Sequence, residues 1–226
     1  MLGIFFHPSR GCRGPVHRMK PLPPVLYQDD YLIALYKPCG MLSVPGRGPE
    51  KIDSLAYRLQ CHYPEAKVVH RLDCYTSGVM LFALGIENQR ELNRQFRDRE
   101  VDKEYIAMVR GVVDEESGVM DQPMRLDVDN RPIQIIDYEQ GKSCETHWRV
   151  IERLSETTRL LLKPITGRSH QLRVHCMVMG HPIVGDHFYG IAEDAAAEMM
   201  LLHAERLEFT HPSSGERVVI VAPCDF

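Results

Sequence analysis

The order of apolar and polar positions divides the chain into short elements. Residues 31–36, 79–84, 104–110, 133–138, 146–151, 159–163, 206–209 and 217–221 form apolar or alternating runs of strand length. The run Val79-Met80-Leu81-Phe82-Ala83-Leu84 contains no polar residue, which predicts a buried strand. Turn-forming groups separate the runs, among them Gln28-Asp29-Asp30, Lys37-Pro38-Cys39-Gly40 and His211-Pro212-Ser213-Ser214-Gly215. Helical spacing predicts helices over 54–63 with Asp53 as N-cap, over 87–98, and over 169–179 with Gly180 past the end. A further short helix is expected over 193–199. Many strands and few helices, without regular alternation, argue for the α+β class.

Composition narrows the picture. At 226 residues, one domain or one domain with two lobes is expected, large enough to hold a core without staples. Hydrophobic content of 44% and charged content of 26% are ordinary for a globular protein, and no apolar run is long enough to predict a membrane span. The seven cysteines include no Cys-x-x-Cys pair, so no metal cluster is expected, and reduced thiols in a cytoplasmic setting are. Residues 1–24 are rich in proline and lack periodicity or the apolar core of a secretory signal. They are expected to be a disordered tail, with Met19 as an alternative start, ahead of a domain over 25–226.

The formal net charge of −4 argues against a strongly cationic, nonspecific nucleic-acid binder, although local charge can differ from the total. One local concentration is visible. In the predicted helix over 87–98, Arg90, Arg94 and Arg97 share one face, while Leu92 and Phe96 lie on the other. The stripe suits contact with RNA phosphates, or equally a solvated face with local pairs such as Glu87–Arg90.

The most informative segment is His70-Arg71-Leu72-Asp73-Cys74-Tyr75-Thr76-Ser77-Gly78. It places an aspartate two residues after an arginine in a polar loop between Lys67-Val68-Val69 and the buried run over 79–84. A carboxylate where two core strands meet costs free energy unless it has partners or a task. A nearby guanidinium favours the charged form, and such a carboxylate suits nucleophilic or electrostatic catalysis. The plainer reading is an aspartate closing a tight turn with its own backbone.

His-Arg-Leu-Asp followed by Thr-Ser-Gly resembles the signature loop of the RluA-type RNA pseudouridine synthases. Two later segments resemble the same family in the same order. One is Asp102-Lys103-Glu104-Tyr105-Ile106-Ala107. The other is the stretch Leu162-Lys163-Pro164-Ile165-Thr166-Gly167-Arg168-Ser169-His170-Gln171-Leu172-Arg173-Val174-His175, continuing to Gly180-His181-Pro182-Ile183-Val184-Gly185-Asp186. The resemblance runs from about residue 25 to 226. It implies the pseudouridine synthase fold, a bent mixed and mainly antiparallel sheet with flanking helices and a central RNA-binding cleft. It also implies isomerisation of uridine in structured RNA, with the target base extruded from its stack.

By that resemblance Asp73 is the catalytic aspartate and Arg168 its ion-pair partner. At about 4 Å and an effective dielectric near 20, such a pair attracts by roughly 4 kcal/mol before desolvation. Tyr105 would stack on the extruded uracil and receive the C5 proton directly or through water, although a strand tyrosine is often plain core. Arg71 would fill the vacated space in the RNA, or else serve as a buried partner for another carboxylate. His70 and Leu172 are further candidates for substrate contact, with Leu172 equally good as core. Tyr36 stands where the family has asparagine ahead of Lys37-Pro38, which puts any role of that asparagine in doubt.

The reaction is redox-neutral and moves no group from a donor, so no cofactor is expected. Gly141-Lys142-Ser143 lacks the first glycine of a phosphate-binding loop, and Gly46-Arg47-Gly48 lacks the third of a dinucleotide fingerprint. Asp127 and Asp129 lack the remaining ligands of a calcium loop. Gly167-Arg168-Ser169-His170-Gln171 approximates a nucleophile elbow, which would make Ser169 the nucleophile of a serine hydrolase, but Gln171 replaces its closing glycine. A noncatalytic RNA-binding module is the other alternative; it would explain the arginines and leave the Asp73 loop unexplained. The segment Leu42-Ser43-Val44-Pro45-Gly46-Arg47 and the short chain resemble the subgroup that acts on a tRNA anticodon stem-loop and a hairpin of large-subunit rRNA. With no room in residues 1–24 for an additional S4 domain, recognition by loop shape and extruded bases is expected.

Overall fold

The computed structural model describes residues 20–226. In chain order the strands are β1 (Val25–Gln28), β2 (Leu32–Lys37), β3 (Ala66–Val68), β4 (Ser77–Leu84), β5 (Asp102–Arg110), β6 (Ser117–Met120), β7 (Met124–Leu126), β8 (Gln134–Ile136), β9 (Thr146–Arg153), β10 (Thr157–Pro164), β11 (Leu202–Thr210) and β12 (Arg217–Val221). The α-helices are α1 (Leu55–His62), α2 (Ile86–Asp98) and α3 (Gln171–Val178). The helix expected over 193–199 is a short 3-10 turn, Ala192–Ala196.

Ten strands form one sheet in the order β1-β2-β4-β11-β5-β10-β9-β6, with β3 on β4 and β12 on β11; β7 and β8 form a separate hairpin. All pairings are antiparallel except β4–β11. The architecture is therefore α+β, with a mainly antiparallel mixed sheet and few helices. No helix among the described residues is long and apolar enough to cross a membrane.

β4 organises the molecule. Every residue in it is buried, as its unbroken apolar run dictates. β2 covers one edge from Gly78 to Ala83. The opposite edge is divided: Ser77 and Gly78 pair with β11, and Phe82–Leu84 pair with β3. Between these two pairings the loop carrying Asp73 returns to the sheet, and the Leu81 amide donates to His70 Nε2 at 2.9 Å. A side chain thus completes a ladder that the split would leave open. Gly78 makes the β4–β11 junction possible. Its φ is +111°, and a Cβ there would lie 2.2 Å from the Ala204 carbonyl oxygen.

The hydrophobic interior has two main parts. One lies under β2, β4, α1 and α2; the other lies under β5, β9, β10 and α3. Tyr105 on β5 packs against both. The seam between them holds the cleft.

Three expectations shift in detail. Ser54, not Asp53, caps α1: its side chain accepts the Tyr57 amide, while Asp53 is taken by Arg58 and Lys20. α3 begins at Gln171 rather than 169, because His170 adopts left-handed backbone with φ 54°. Residues 1–19 of the expected tail, with Met19, lie outside the described residues. The rest of that stretch is attached: Lys20 pairs with Asp53, Leu22 packs on the core, and the Pro24 carbonyl accepts the Tyr36 amide.

Candidate active site

The Asp73 loop is held from behind by polar groups the core encloses. Ser43 Oγ accepts the Leu72 amide at 3.0 Å and donates to the Leu72 carbonyl at 2.6 Å. Lys37 is fully buried, and its ammonium donates to the carbonyls of Pro38, Cys74 and Thr76 at 3.1, 2.8 and 2.7 Å. Burial pushes Lys37 down to about 8, against the opposing pull of Cys74, Cys39 and Asp73. The Asp73 carbonyl accepts the Thr76 amide at 3.1 Å and so closes the turn. The plainer reading of Asp73 is thereby set aside: its backbone makes the turn, and its carboxylate is left to the cleft.

That cleft has a volume of about 500 Å³. Its walls come from the Asp73 loop, the C-terminal end of α2, the start of β5, and the segment from Pro164 into α3. Six cations line it, Arg71, Arg97, Arg99, Lys103, Arg168 and Arg173, and Asp73 is the one carboxylate among the lining residues. A chain of negative total charge therefore carries a strongly positive concavity, which focuses anionic ligands. Arg71, Arg99 and Lys103 make no side-chain hydrogen bond or ion pair among the described residues. Burial pushes Lys103 down to about 8, with Arg99 adding to the shift. Arg99 terminates α2 in left-handed backbone with φ 63°, a conformation that turns the chain from helix into β5.

The guanidinium facing Asp73 belongs to Arg173, and this corrects the expected pairing with Arg168. Arg173 Nη1 lies 3.6 Å from Asp73 Oδ2, and the same guanidinium forms a bidentate pair with Asp186 at 2.7 and 2.6 Å. Its carbon also lies 5.3 and 5.1 Å from the ring centroids of Phe188 and Tyr189. The physical reason is the start of α3. Arg173 stands in the first turn and is carried inward, with an exposure of 3%. Arg168 precedes the helix on an exposed stretch and lies against the Cys144 thiol, whose burial-raised pKa it opposes. Gln171 fixes this stretch. Its carbonyl oxygen accepts from Thr166 Oγ1 and the Arg168 amide, and its amide donates to Glu145 O and Thr146 Oγ1.

The other predicted residues divide. Tyr105 reaches the cleft from β5. Burial, and then the negative charge of Asp73, push its phenol well above the usual range, so it carries its proton at neutral pH. Leu172 is both core and cleft wall. His70 lines the cleft, but its Nε2 is taken by Leu81 and its ring stacks on Phe96 with centroids 4.8 Å apart. Burial, with Lys103 adding, pushes it down to about 3, so it is a neutral structural acceptor and no phosphate ligand. The arginine stripe does not act as a unit. Arg90 pairs with Glu87, and Arg94 with Glu91, Asp98 and Glu100; only Arg97, beside Asp98, borders the cleft. Ser169 is exposed and has no base beside it, and the neighbouring His170 is committed through Nδ1 to Tyr189. The hydrolase constellation is absent among the described residues.

Sequence reasoning passed over Arg173, Asp186, His170, Arg99 and Lys103. A signal existed for the first two. An arginine between Leu172 and Val174 in an apolar helix needs a buried anion, and Asp186 follows in the next loop.

Known proteins share much of this sequence and fold. A model of the RNA pseudouridylate synthase family matches residues 31–177. The chain is 50% identical over 204 residues to the Dual-specificity RNA pseudouridine synthase RluA of Escherichia coli K12, covering 89% of this chain and 93% of that protein. It is 52% identical over 193 residues to the protein of the same name from Yersinia pestis, covering 84% and 94%. Among solved structures, Human RNA Pseudouridylate Synthase Domain Containing 1 superposes with a TM-score of 0.76 at 29% identity, covering 93% of this chain and 86% of that one. An aspartate in a cationic cleft, on this sheet and with these relatives, leads to one conclusion: the chain belongs to the RNA pseudouridylate synthase family.

Proposed function

We propose that this protein isomerises uridine to pseudouridine at sites in both ribosomal and transfer RNA. The observation that carries the reading is the isolation of Asp73, a single carboxylate in a cleft lined by six cations. Duplex or stem-loop RNA brings phosphates to Arg97, Arg99, Lys103 and Arg168, and the target nucleoside leaves its stack to reach the carboxylate. Arg71, exposed and two residues before Asp73 in the chain, fills the space the base vacates. Tyr105 and Leu172 bracket the uracil, one by its ring and one by an apolar side chain.

The chemistry breaks the N1–C1′ bond and forms a C5–C1′ bond, while a proton leaves C5 and N1 gains one. Asp73 is the catalytic carboxylate. Arg173 holds its Oδ2 edge, which leaves Oδ1 for the nucleoside. Tyr105 retains its proton at neutral pH and relays the C5 proton through its hydroxyl or an adjoining water. No external oxidant, reductant or group donor enters this balance. The six described cysteines form no disulfide with one another, which fits a reducing cytoplasm.

Dual specificity rests on similarity to relatives whose name carries that term. The test is tritium release from 5-tritiated uridine in a tRNA anticodon stem-loop and in large-subunit rRNA fragments. Release from both is expected. Release from one alone removes dual specificity, and release from neither contradicts the function.

A further inference from the structure

His170 has an exposure of 9%, and its two ring nitrogens face different partners. Nδ1 lies 2.7 Å from the Tyr189 hydroxyl. That hydroxyl oxygen lies 2.8 Å from the Gln134 backbone amide, a group that only donates. The phenol therefore accepts from Gln134 and has one proton to give, and His170 Nδ1 is the acceptor within reach. The opposite arrangement leaves the tyrosine proton without an acceptor and turns the Nε2 lone pair toward a carboxylate. Nε2 lies 4.0 Å from Asp73 Oδ2, the same oxygen that Arg173 addresses. Burial, with Arg173 adding, lowers the pKa of the ring against the pull of Asp73, which favours the neutral form.

We infer that His170 is a positioning residue for Asp73: a neutral imidazole held by Tyr189 as the Nε2–H tautomer, which closes a hydrogen bond on Asp73 Oδ2 when RNA fills the cleft. The inference rests on the function proposed above. A separation of 4.0 Å is too long for a hydrogen bond in the free protein. Bonds of this kind are commonly long before substrate arrives and shorten in the complex. A neutral donor orients the carboxylate without adding a second positive charge to it. Together, His170 and Arg173 fix one oxygen and leave the other free. The left-handed backbone at His170, with φ 54°, is the local distortion that aims the ring this way. Because the last donor in the chain is a backbone amide on β8, the hairpin β7–β8 seats the whole arrangement.

The test joins a spectrum to kinetics on the full chain. A long-range 1H–15N correlation spectrum of the histidine rings at pH 7 is expected to show His170 with Nδ1 bare and Nε2 protonated. Tyr189→Phe should lose that preference. In turnover on RNA, Tyr189→Phe and His170→Leu should lower kcat about 10- to 100-fold with KM unchanged, the effect of losing one hydrogen bond to a charged group. His170→Gln, whose amide offers an N–H near the Nε2 position, should recover most of that loss. An Nδ1–H tautomer, a doubly protonated ring, wild-type kcat in both deleting variants, or a change confined to KM would overturn the inference. The wild-type spectrum decides the tautomer even if a variant fails to fold. An inactive wild type would refute the proposed function instead, and the spectrum would still decide the tautomer.

Discussion

Arg173 stands between two carboxylates, grasping Asp186 with two nitrogens at 2.7 and 2.6 Å and presenting the third to Asp73 at 3.6 Å. The unequal distances assign the two acids different duties. Asp186, with a side chain wholly removed from solvent, anchors the guanidinium, and Asp73, 21% exposed, keeps access to the cleft. Asp186→Asn should therefore release Arg173 onto Asp73. Removing one partner of a buried pair costs about 3–5 kcal/mol, so urea unfolding should show a loss of that order. In the surviving folded fraction kcat should fall at least about tenfold, the scale of a misplaced catalytic group. Wild-type stability and turnover in this variant would show that the pair is incidental.

Lys103 supplies a pH dependence for RNA binding. Its ammonium is complete below about 8 and fades as pH rises through that value, because burial lowers the pKa from 10.5. Affinity for single-stranded or looped RNA should weaken between pH 7 and 9 in the wild type. In Lys103→Arg the loss should disappear. Lys103→Met should reduce the salt slope of log K by about 0.7, one phosphate contact. Fluorescence anisotropy at several salt concentrations measures all three, and an unchanged slope would remove Lys103 from the phosphate path.

His70 predicts a window of acid instability. The folded value of about 3 lies below the unfolded value of 6.5. Above pH 6.5 the ring is neutral in both states, and its contribution is whole. Between 6.5 and about 3 the unfolded chain binds a proton that the fold excludes, so stability falls by about 1.4 kcal/mol per pH unit. His70→Gln keeps an acceptor for the Leu81 amide and removes the titration. Between pH 7 and 4.5 the wild type should lose about 2–3 kcal/mol more than this variant in urea unfolding. Parallel losses would place the acid sensitivity elsewhere.

Gly78 tests the junction on which the cleft depends. A methyl group there meets the Ala204 carbonyl, and φ is +111°. Gly78→Ala should cost at least about 3 kcal/mol through combined strain and collision. A thermal midpoint equal to wild type would mean that β4 and β11 separate easily.

How much of this was readable beforehand follows from what each signal depends on. β4 announced itself because an unbroken apolar run admits one environment, and α2 because Leu92 and Phe96 recur at helical spacing. The strands β1, β3, β6 and β7 are three or four residues long, and too short for periodicity to register. Asp73 was legible because a charged residue interrupts two core runs. Its partner was not, since choosing between Arg168 and Arg173 requires knowing where α3 begins. That start depends on one left-handed residue, His170, which pattern does not reveal. The arginines of α2 showed their common face, but not that Glu87, Glu91, Asp98 and Glu100 close on Arg90 and Arg94. The sheet's divided edge, which turns His70 into a backbone acceptor, depends on long-range pairing alone.

The most direct measurement is turnover and binding by Asp73→Asn on the same RNA. The substitution keeps the shape of the side chain and removes its charge. The account predicts no detectable pseudouridine and no tritium release, with RNA affinity within about threefold of wild type because the six cations remain. Pseudouridine formed at a rate near that of the wild type would contradict it.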